Sequence, residues 1–235
     1  MYPISLDNYG FIRTKLPSQL YQDLLKECLQ AARKNPPMVS GLTGKGVGPH
    51  YFIINKSNLK NLTNFVLQAR HAYDKAFPGL GDTGVLSRDC PYSLTPPWVN
   101  LQRKGQFVPE HIHNGVYSYT IWMKIPYDIK KENPLYVPGG TSGADIKKIN
   151  ANSLKHKNLH SSEVLKYAST PSAGFFQFSY ASIFGGPMSH KIPLSKKEEG
   201  EMILFPSKLN HIVYPFYTSS GIRISISGNI IYDVG

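Results

Sequence analysis

The later part of the chain breaks into short runs of β-branched and aromatic residues separated by turn formers, and that texture restricts the fold more than any other feature. Trp98–Gln102, Val116–Ile125 (VYSYTIWMKI), Gly174–Phe184 (GFFQFSYASIF), Met202–Phe205, His211–Phe216 and Ile222–Tyr232 each read as a strand, with Gly, Pro, Ser and Asn between them. In the last run Ile222, Ile224 and Ile226 alternate with Arg223, Ser225 and Ser227, so one face is apolar and the other polar. An apolar sheet face needs a cover, and the earlier part of the chain offers one. Between Pro17 and Asn35 the residues Leu20, Leu24, Leu25, Cys28, Leu29 and Ala32 form a helical stripe, with Ser18 as a candidate cap and Asn35-Pro36-Pro37 as a stop. A second helix is expected from about Ser57 to Phe77, its apolar face carried by Leu59, Leu62, Phe65, Val66, Ala69 and Tyr73 and its end set by Pro78. Helices followed by many antiparallel strands predict a mainly β, α+β molecule, a sandwich or barrel backed by N-terminal helices. Nothing marks an internal repeat or a second core. One domain over 1–235 is therefore expected, with 1–95 as helical support and 96–235 as the β core.

Composition removes several alternatives. Eleven Phe, fifteen Tyr and two Trp among 235 residues are too many for a solvated coil. No apolar run approaches the roughly 20 residues of a membrane-spanning helix, so no membrane role is expected. The opening MYPISLDNYGFIRTK lacks the basic-then-apolar layout of a signal peptide, and two cysteines, Cys28 and Cys90, cannot form a disulfide framework; a cytoplasmic location is expected. Lys and Arg exceed Asp and Glu by 26 to 15, a net charge of +11 that favours anionic partners without choosing among nucleic acid, acidic protein and a small dicarboxylate. The glycine-rich GLTGKGVGPHYFII fails the spacing of a phosphate loop, since Gly46 follows Lys45, and reads instead as a turn feeding a short strand, Tyr51–Ile54. Residues 127–172 are polar, carry seven lysines and read as a functional insert or lid.

The chemistry points to GQFVPEHIHNG. His111 and His113 at i and i+2 of a strand would project from one face, a spacing that suits two positions on one metal ion. A third ligand is available in His211, which follows the apolar strand and turn of GEMILFPSKLNH. Gly, five residues, His-x-His, then Gly, five residues, Pro, four residues, His is also the spacing of cupin-type double-stranded β-helix metal sites. The remaining histidines lack such support: His50, His71 and His190 are isolated, and His156 and His160 sit in the lysine-rich SLKHKNLH. On the last strand, Arg223 shares a face with Ser225 opposite the isoleucines. If the isoleucines pack under helices, Arg223 points into the barrel, where a buried guanidinium needs an anion; its fork matches a carboxylate and Ser225 can add a hydroxyl.

Across residues 96–232 the sequence resembles the 2-oxoglutarate/Fe(II)-dependent oxygenases, in particular a branch common among bacteriophage proteins. The resemblance rests on PPWVNLQRKGQFVPEHIHNGVYSYTIWMKIPYD, GEMILFPSKLNHIVYPF and RISISGNI. It implies a double-stranded β-helix (a jelly-roll or cupin-like barrel) backed by the N-terminal helices, with Fe(II) as metal, 2-oxoglutarate as cosubstrate and dioxygen as oxidant. It implies His111 and His211 as iron ligands and Arg223 with Ser225 as the clamp for the far carboxylate of 2-oxoglutarate. Where the wider family carries Asp or Glu, this chain carries His113, so the 2-His-1-carboxylate triad is not complete. Three arrangements stay open: His111, His113 and His211 together on iron; Glu110 turned inward in place of one histidine; or His113 as first ligand with Gly115 at the acid position. Trp98, Asn100, Tyr117 and Tyr119 flank the proposed site, as lining or as core.

The expected function is an Fe(II)- and 2-oxoglutarate-dependent oxygenase, a hydroxylase acting by hydrogen abstraction on a peptidyl substrate, with nucleic acid or a small acid as other substrate classes. Two rivals stand beside it: a cupin-type three-histidine metal dioxygenase that does not use 2-oxoglutarate, and a non-enzymatic β-barrel binding module.

Overall fold

The computed structural model describes residues 10–33, 50–80, 90–132, 172–181 and 185–233. They run β1 (Ile12–Lys15), α1 (Ser18–Arg33), β2 (His50–Phe52), α2 (Lys56–Ala76), β3 (Tyr92–Leu94), β4 (Trp98–Gln102), β5 (Val108–His111), β6 (Tyr117–Lys124), α3 (Ile129–Glu132), β7 (Phe175–Ala181), β8 (Pro187–Pro193), β9 (Glu201–Pro206), β10 (Asn210–Val213) and β11 (Arg223–Tyr232). The strands form two antiparallel sheets. The major one has the order β1-β9-β6-β11-β4-β2, with β3 beside the C-terminal half of β11; the minor one is β5-β10-β7-β8.

The major sheet is a wall with apolar layers on both sides. Tyr117, Tyr119, Ile121 and Met123 of β6 pack with Val99, Leu101, Ile224 and Ile226 against Leu20, Leu24 and Cys28 of α1 and Leu62, Val66, Ala69 and Tyr73 of α2. The opposite face sends Trp122, Ile203 and Phe205 toward Phe175, Phe176, Phe178 and Ile192 of the minor sheet. Each such side chain, fully buried, is worth about 1.5–3 kcal/mol. The wall splits the apolar residues because its central strands, β6 and β9, are buried on both faces.

Several expected boundaries move. The Tyr21 amide donates to the Pro17 carbonyl at 3.0 Å, so Ser18 is the first helical residue rather than the cap. The second helix is capped by Asn55, whose side-chain oxygen accepts from the Asn58 amide at 3.0 Å. The region ahead of residue 96 supplies strands as well as helices, for β1, β2 and β3 all join the major sheet. The expected insert begins later than residue 127. Tyr127 and Ile129 belong to the inter-sheet core, and buried Glu132 accepts from the Tyr217 amide and from the amide and hydroxyl of Thr218. The rest of that insert, with His156 and His160, the Asn35-Pro36-Pro37 stop and the glycine-rich stretch before His50, lie outside the described residues. No described helix is long and apolar enough to cross a membrane.

Candidate metal and cosubstrate site

Strand parity builds the site. On β4, β6 and β11 the positions not packed on the helices carry Asn100 and Gln102, Ser118 and Thr120, and Arg223, Ser225, Ser227 and Asn229. Register aligns them in rows: Arg223 beside Gln102, Ser225 between Asn100 and Trp122, Ser227 between Trp98 and Thr120, Asn229 beside Ser118. This face looks toward the minor sheet, where the histidines stand.

His111 is the last residue of β5 and lies directly opposite His211 of β10, with ring centroids 4.2 Å apart. The His113 ring is 4.9 Å from His111 and 5.0 Å from His211. One ligating nitrogen of each histidine comes within 4.8 Å of the others. His113 is not on the strand as the alternation rule supposed. The chain turns after His111, the His113 amide donates to the Ser207 carbonyl at 2.9 Å, and Gly115 (φ +143°) carries the chain back toward β6. A Cβ at Gly115 would lie 3.0 Å from the Ile230 carbonyl oxygen, which accounts for glycine there. Glu110 is exposed and outside the cluster.

Two of the rings have their tautomers set by the backbone. Nδ1 of His111 is 2.7 Å from the Pro109 carbonyl oxygen and Nδ1 of His211 is 2.9 Å from that of Leu209, two residues upstream in both cases. A carbonyl oxygen only accepts, so each Nδ1 carries hydrogen and each Nε2 keeps its lone pair free. His211 is sheathed by aromatic rings, stacked on Phe176 at 5.6 Å and edge-on to Phe205 at 4.9 Å. Burial, reinforced by the neighbouring His111, lowers its pKa to about 3; the same two causes lower that of His113 to about 4. Both rings are therefore neutral at pH 7, the form that coordinates metal. The other described histidine rings serve elsewhere: His71 contacts the Arg70 guanidinium and His190 packs on Phe11.

Arg223 is buried at 2% exposure, and no carboxylate of the described residues pairs with it. Its Nε and Nη2 donate to Gln102 Oε1 (3.1 and 2.6 Å), Nη1 to the Tyr127 hydroxyl (2.8 Å) and Nη2 to the Tyr214 carbonyl (2.7 Å). The guanidinium carbon also lies 5.5 Å from the Phe216 ring centroid. Ser225, on the same face, accepts from Asn100 Nδ2 at 3.4 Å, and Ser227 bonds Thr120 at 3.0 Å. On this face of the wall the short polar side chains of Asn100, Thr120, Ser225 and Ser227 stand between Trp98 and Trp122. Tyr117 and Tyr119 do not line this space, since both pack on the helix side; Trp98, 5.7 Å from the His113 ring, and Asn100 are on the site side. Gln102 and Tyr127 are the contacts that sequence reasoning did not find. Gln102 shares the inward parity of Trp98 and Asn100 on a strand that was legible, a signal that was available; Tyr127, beyond the strand end at Pro126, left none.

Two antiparallel sheets, with three imidazoles converging on one side and, on the facing wall, a buried arginine that pairs with no described carboxylate, define a double-stranded β-helix. A family described as "Putative 2OG-Fe(II) oxygenase" matches residues 97–229, more than half of the chain. The chain belongs to this 2OG-Fe(II) oxygenase family, and with it to the oxidoreductases that use Fe(II), 2-oxoglutarate and dioxygen. Among solved structures it is similar to a Pseudomonas putida prolyl-4-hydroxylase (14% identity, TM-score 0.54, covering 96% of this chain and 94% of that one). It is similar too to the non-heme alpha-ketoglutarate-dependent epimerase SnoN of nogalamycin biosynthesis (10%, 0.54, 95% and 79%). An oxidoreductase of the 2OG-Fe(II) oxygenase family from Burkholderia pseudomallei aligns at 12% identity and TM-score 0.50, over 96% and 87%. At these identities the likeness is one of fold. No curated protein matches the sequence. The expected class and cofactors hold, and the cupin-type dioxygenase and the non-enzymatic module give way to the family.

Proposed function

We propose that His111, His113 and His211 hold the Fe(II) of this oxygenase and that Arg223, with Ser225, receives the far carboxylate of 2-oxoglutarate. The observation that carries the reading is the buried Arg223 guanidinium, which pairs with no carboxylate among the described residues and sits on the face of the major sheet turned toward the minor sheet that carries His111 and His211. The residues fit the group. Two imidazoles offer Nε2 by enforced tautomer, and Arg223 and Ser225 offer a guanidinium and a hydroxyl, the donors that a dicarboxylate needs, on the wall facing them. Fe(II) and 2-oxoglutarate held there would supply the chemistry by which dioxygen, the oxidant, converts the cosubstrate to succinate and CO2 with one of its oxygen atoms and a substrate C–H bond to C–OH with the other. The protein positions both, and its aromatic wall around His211 keeps water from that side of the site. Because His113 stands where the wider family has an acid, the protein would bring one negative charge fewer to a bound metal than a 2-His-1-carboxylate set does.

The reading extends to a hydroxylase of a peptidyl residue, supported by a fold shared with a prolyl-4-hydroxylase, in a single oxygenase domain of phage-like type working in the cytoplasm. The test is anaerobic addition of Fe(II) and 2-oxoglutarate, which should give the weak visible charge-transfer band of the chelate. Arg223→Met should weaken 2-oxoglutarate binding at least tenfold while sparing iron. Iron binding that survives His211→Ala unchanged would sink the ligand assignment.

A further inference from the structure

We propose that Gln102 is a positioning residue for the cosubstrate clamp, one that aims the Arg223 guanidinium without neutralising it; this rests on the reading of Arg223 as the group that receives the far carboxylate.

The guanidinium has five N–H donors. Gln102 Oε1 bridges Nε and Nη2, the Tyr214 carbonyl takes a second bond from Nη2, and the Tyr127 hydroxyl takes one from Nη1. One Nη1 hydrogen has no partner among the described residues. The Nε/Nη2 edge is where a carboxylate binds an arginine in bidentate fashion. A neutral amide oxygen occupies it here, so the inner edge of the fork is filled while the positive charge meets no carboxylate among the described residues. Gln102 is buried at 4% exposure and Arg223 at 2%, a setting in which that charge is weakly screened. The incoming anion is thereby directed to the Nη1 edge, beside the Tyr127 hydroxyl, which in turn donates to the Gly174 carbonyl at 3.1 Å.

The amide cannot turn over freely. Gln102 Nε2 donates to the Gln106 carbonyl, Gln106 Oε1 accepts from the Arg103 amide at 2.7 Å, and the Gly105 amide donates to the Phe216 carbonyl at 2.9 Å. Flipping Gln102 would set its NH2 against the guanidinium and its oxygen against a carbonyl. These bonds also tie the clamp to the turn that leads into β5 and so to His111.

The decisive comparison is between 2-oxoglutarate and 2-oxopentanoate, the same chain without the far carboxylate, titrated anaerobically into the Fe(II)-loaded protein and read by the charge-transfer band. The wild-type protein should prefer 2-oxoglutarate. Gln102→Glu places an anion on the fork and should cut that preference at least tenfold without lowering the melting temperature. Gln102→Met removes the acceptor at equal length and should cut it several-fold, deciding the matter if the Glu variant does not fold. A residue that only supports the fold would weaken both ligands alike and leave the preference unchanged. Preference kept within twofold in every folded Gln102 variant overturns the proposal. Arg223→Met separates the two layers: if it abolishes the preference while the Gln102 variants keep it, Gln102 alone is wrongly assigned, and if it too leaves the preference intact, the clamp reading itself is wrong.

Discussion

The Tyr119 hydroxyl is buried with no hydrogen-bond partner among the described residues, and Gly228 lies against it so closely that a Cβ there would come within 2.4 Å of the oxygen. Leaving such a group dry and unpaired costs about 1–3 kcal/mol. Tyr119→Phe keeps the ring and removes the orphan, so it should raise the unfolding free energy by about 1 kcal/mol, measured by urea denaturation; a loss of stability would mean that the hydroxyl is bonded after all. At this scale the sequence was informative where parity alone decides direction. Arg223 and Ser225 could be set against the isoleucines from their alternation, and the structure places Ile224 and Ile226 under the helices. Parity says nothing about contacts made across the chain. The bond between Arg223 and Gln102 spans 121 positions, and the tautomer-setting bonds of His111 and His211 depend on backbone carbonyls that no residue type announces.

Among the elements, β4 was read to the residue and β6 and β11 nearly so, because long runs of β-branched and aromatic residues fit a pleated surface whatever their neighbours. The strands absent from the sequence reading, β1, β3 and β8, lie at sheet edges; β1 and β8 carry Arg, Lys, His or Pro and β3 is three residues long, so their pairing comes from the partner strand rather than from their own composition. The histidine pair suffered from the same blindness, since β5 ends at His111 and His113 is held instead by a bond to Ser207. The two faces of β11 allow a direct check on the architecture. Ile226→Ala, in the layer under the helices, should cost about 2–5 kcal/mol of stability. Ser225→Ala, half-buried with one long bond to Asn100, should cost less than about 1 kcal/mol and show its effect in 2-oxoglutarate affinity instead. Chemical denaturation and cosubstrate titration of both variants test this, and equal losses of stability would refute the two-faced wall.

For the molecule as a whole, the net charge of +11 draws anions toward it but does not account for its pH response, which the buried imidazoles shape. In the metal-free protein His211 and His113 are held neutral, with pKa values lowered to about 3 and about 4 by burial and by His111, whereas in the unfolded chain each returns to about 6.5. Between these limits the unfolded state binds more protons than the folded one, so stability must fall as the pH drops from about 6.5 toward 4, and these groups contribute no slope above about 7. Carboxylates also titrate on that path, so the wild-type curve alone does not isolate the histidines. His211→Phe does: an uncharged ring of similar shape among Phe176, Phe178 and Phe205 removes one proton-binding site of the unfolded chain. Urea midpoints at pH 7, 6 and 5 should fall less steeply for His211→Phe than for the metal-free wild type, the two curves diverging as acid is added. Parallel curves would mean that the His211 ring accepts a proton in the folded state without cost, and hence that it is not the dry, neutral donor on which the metal assignment depends.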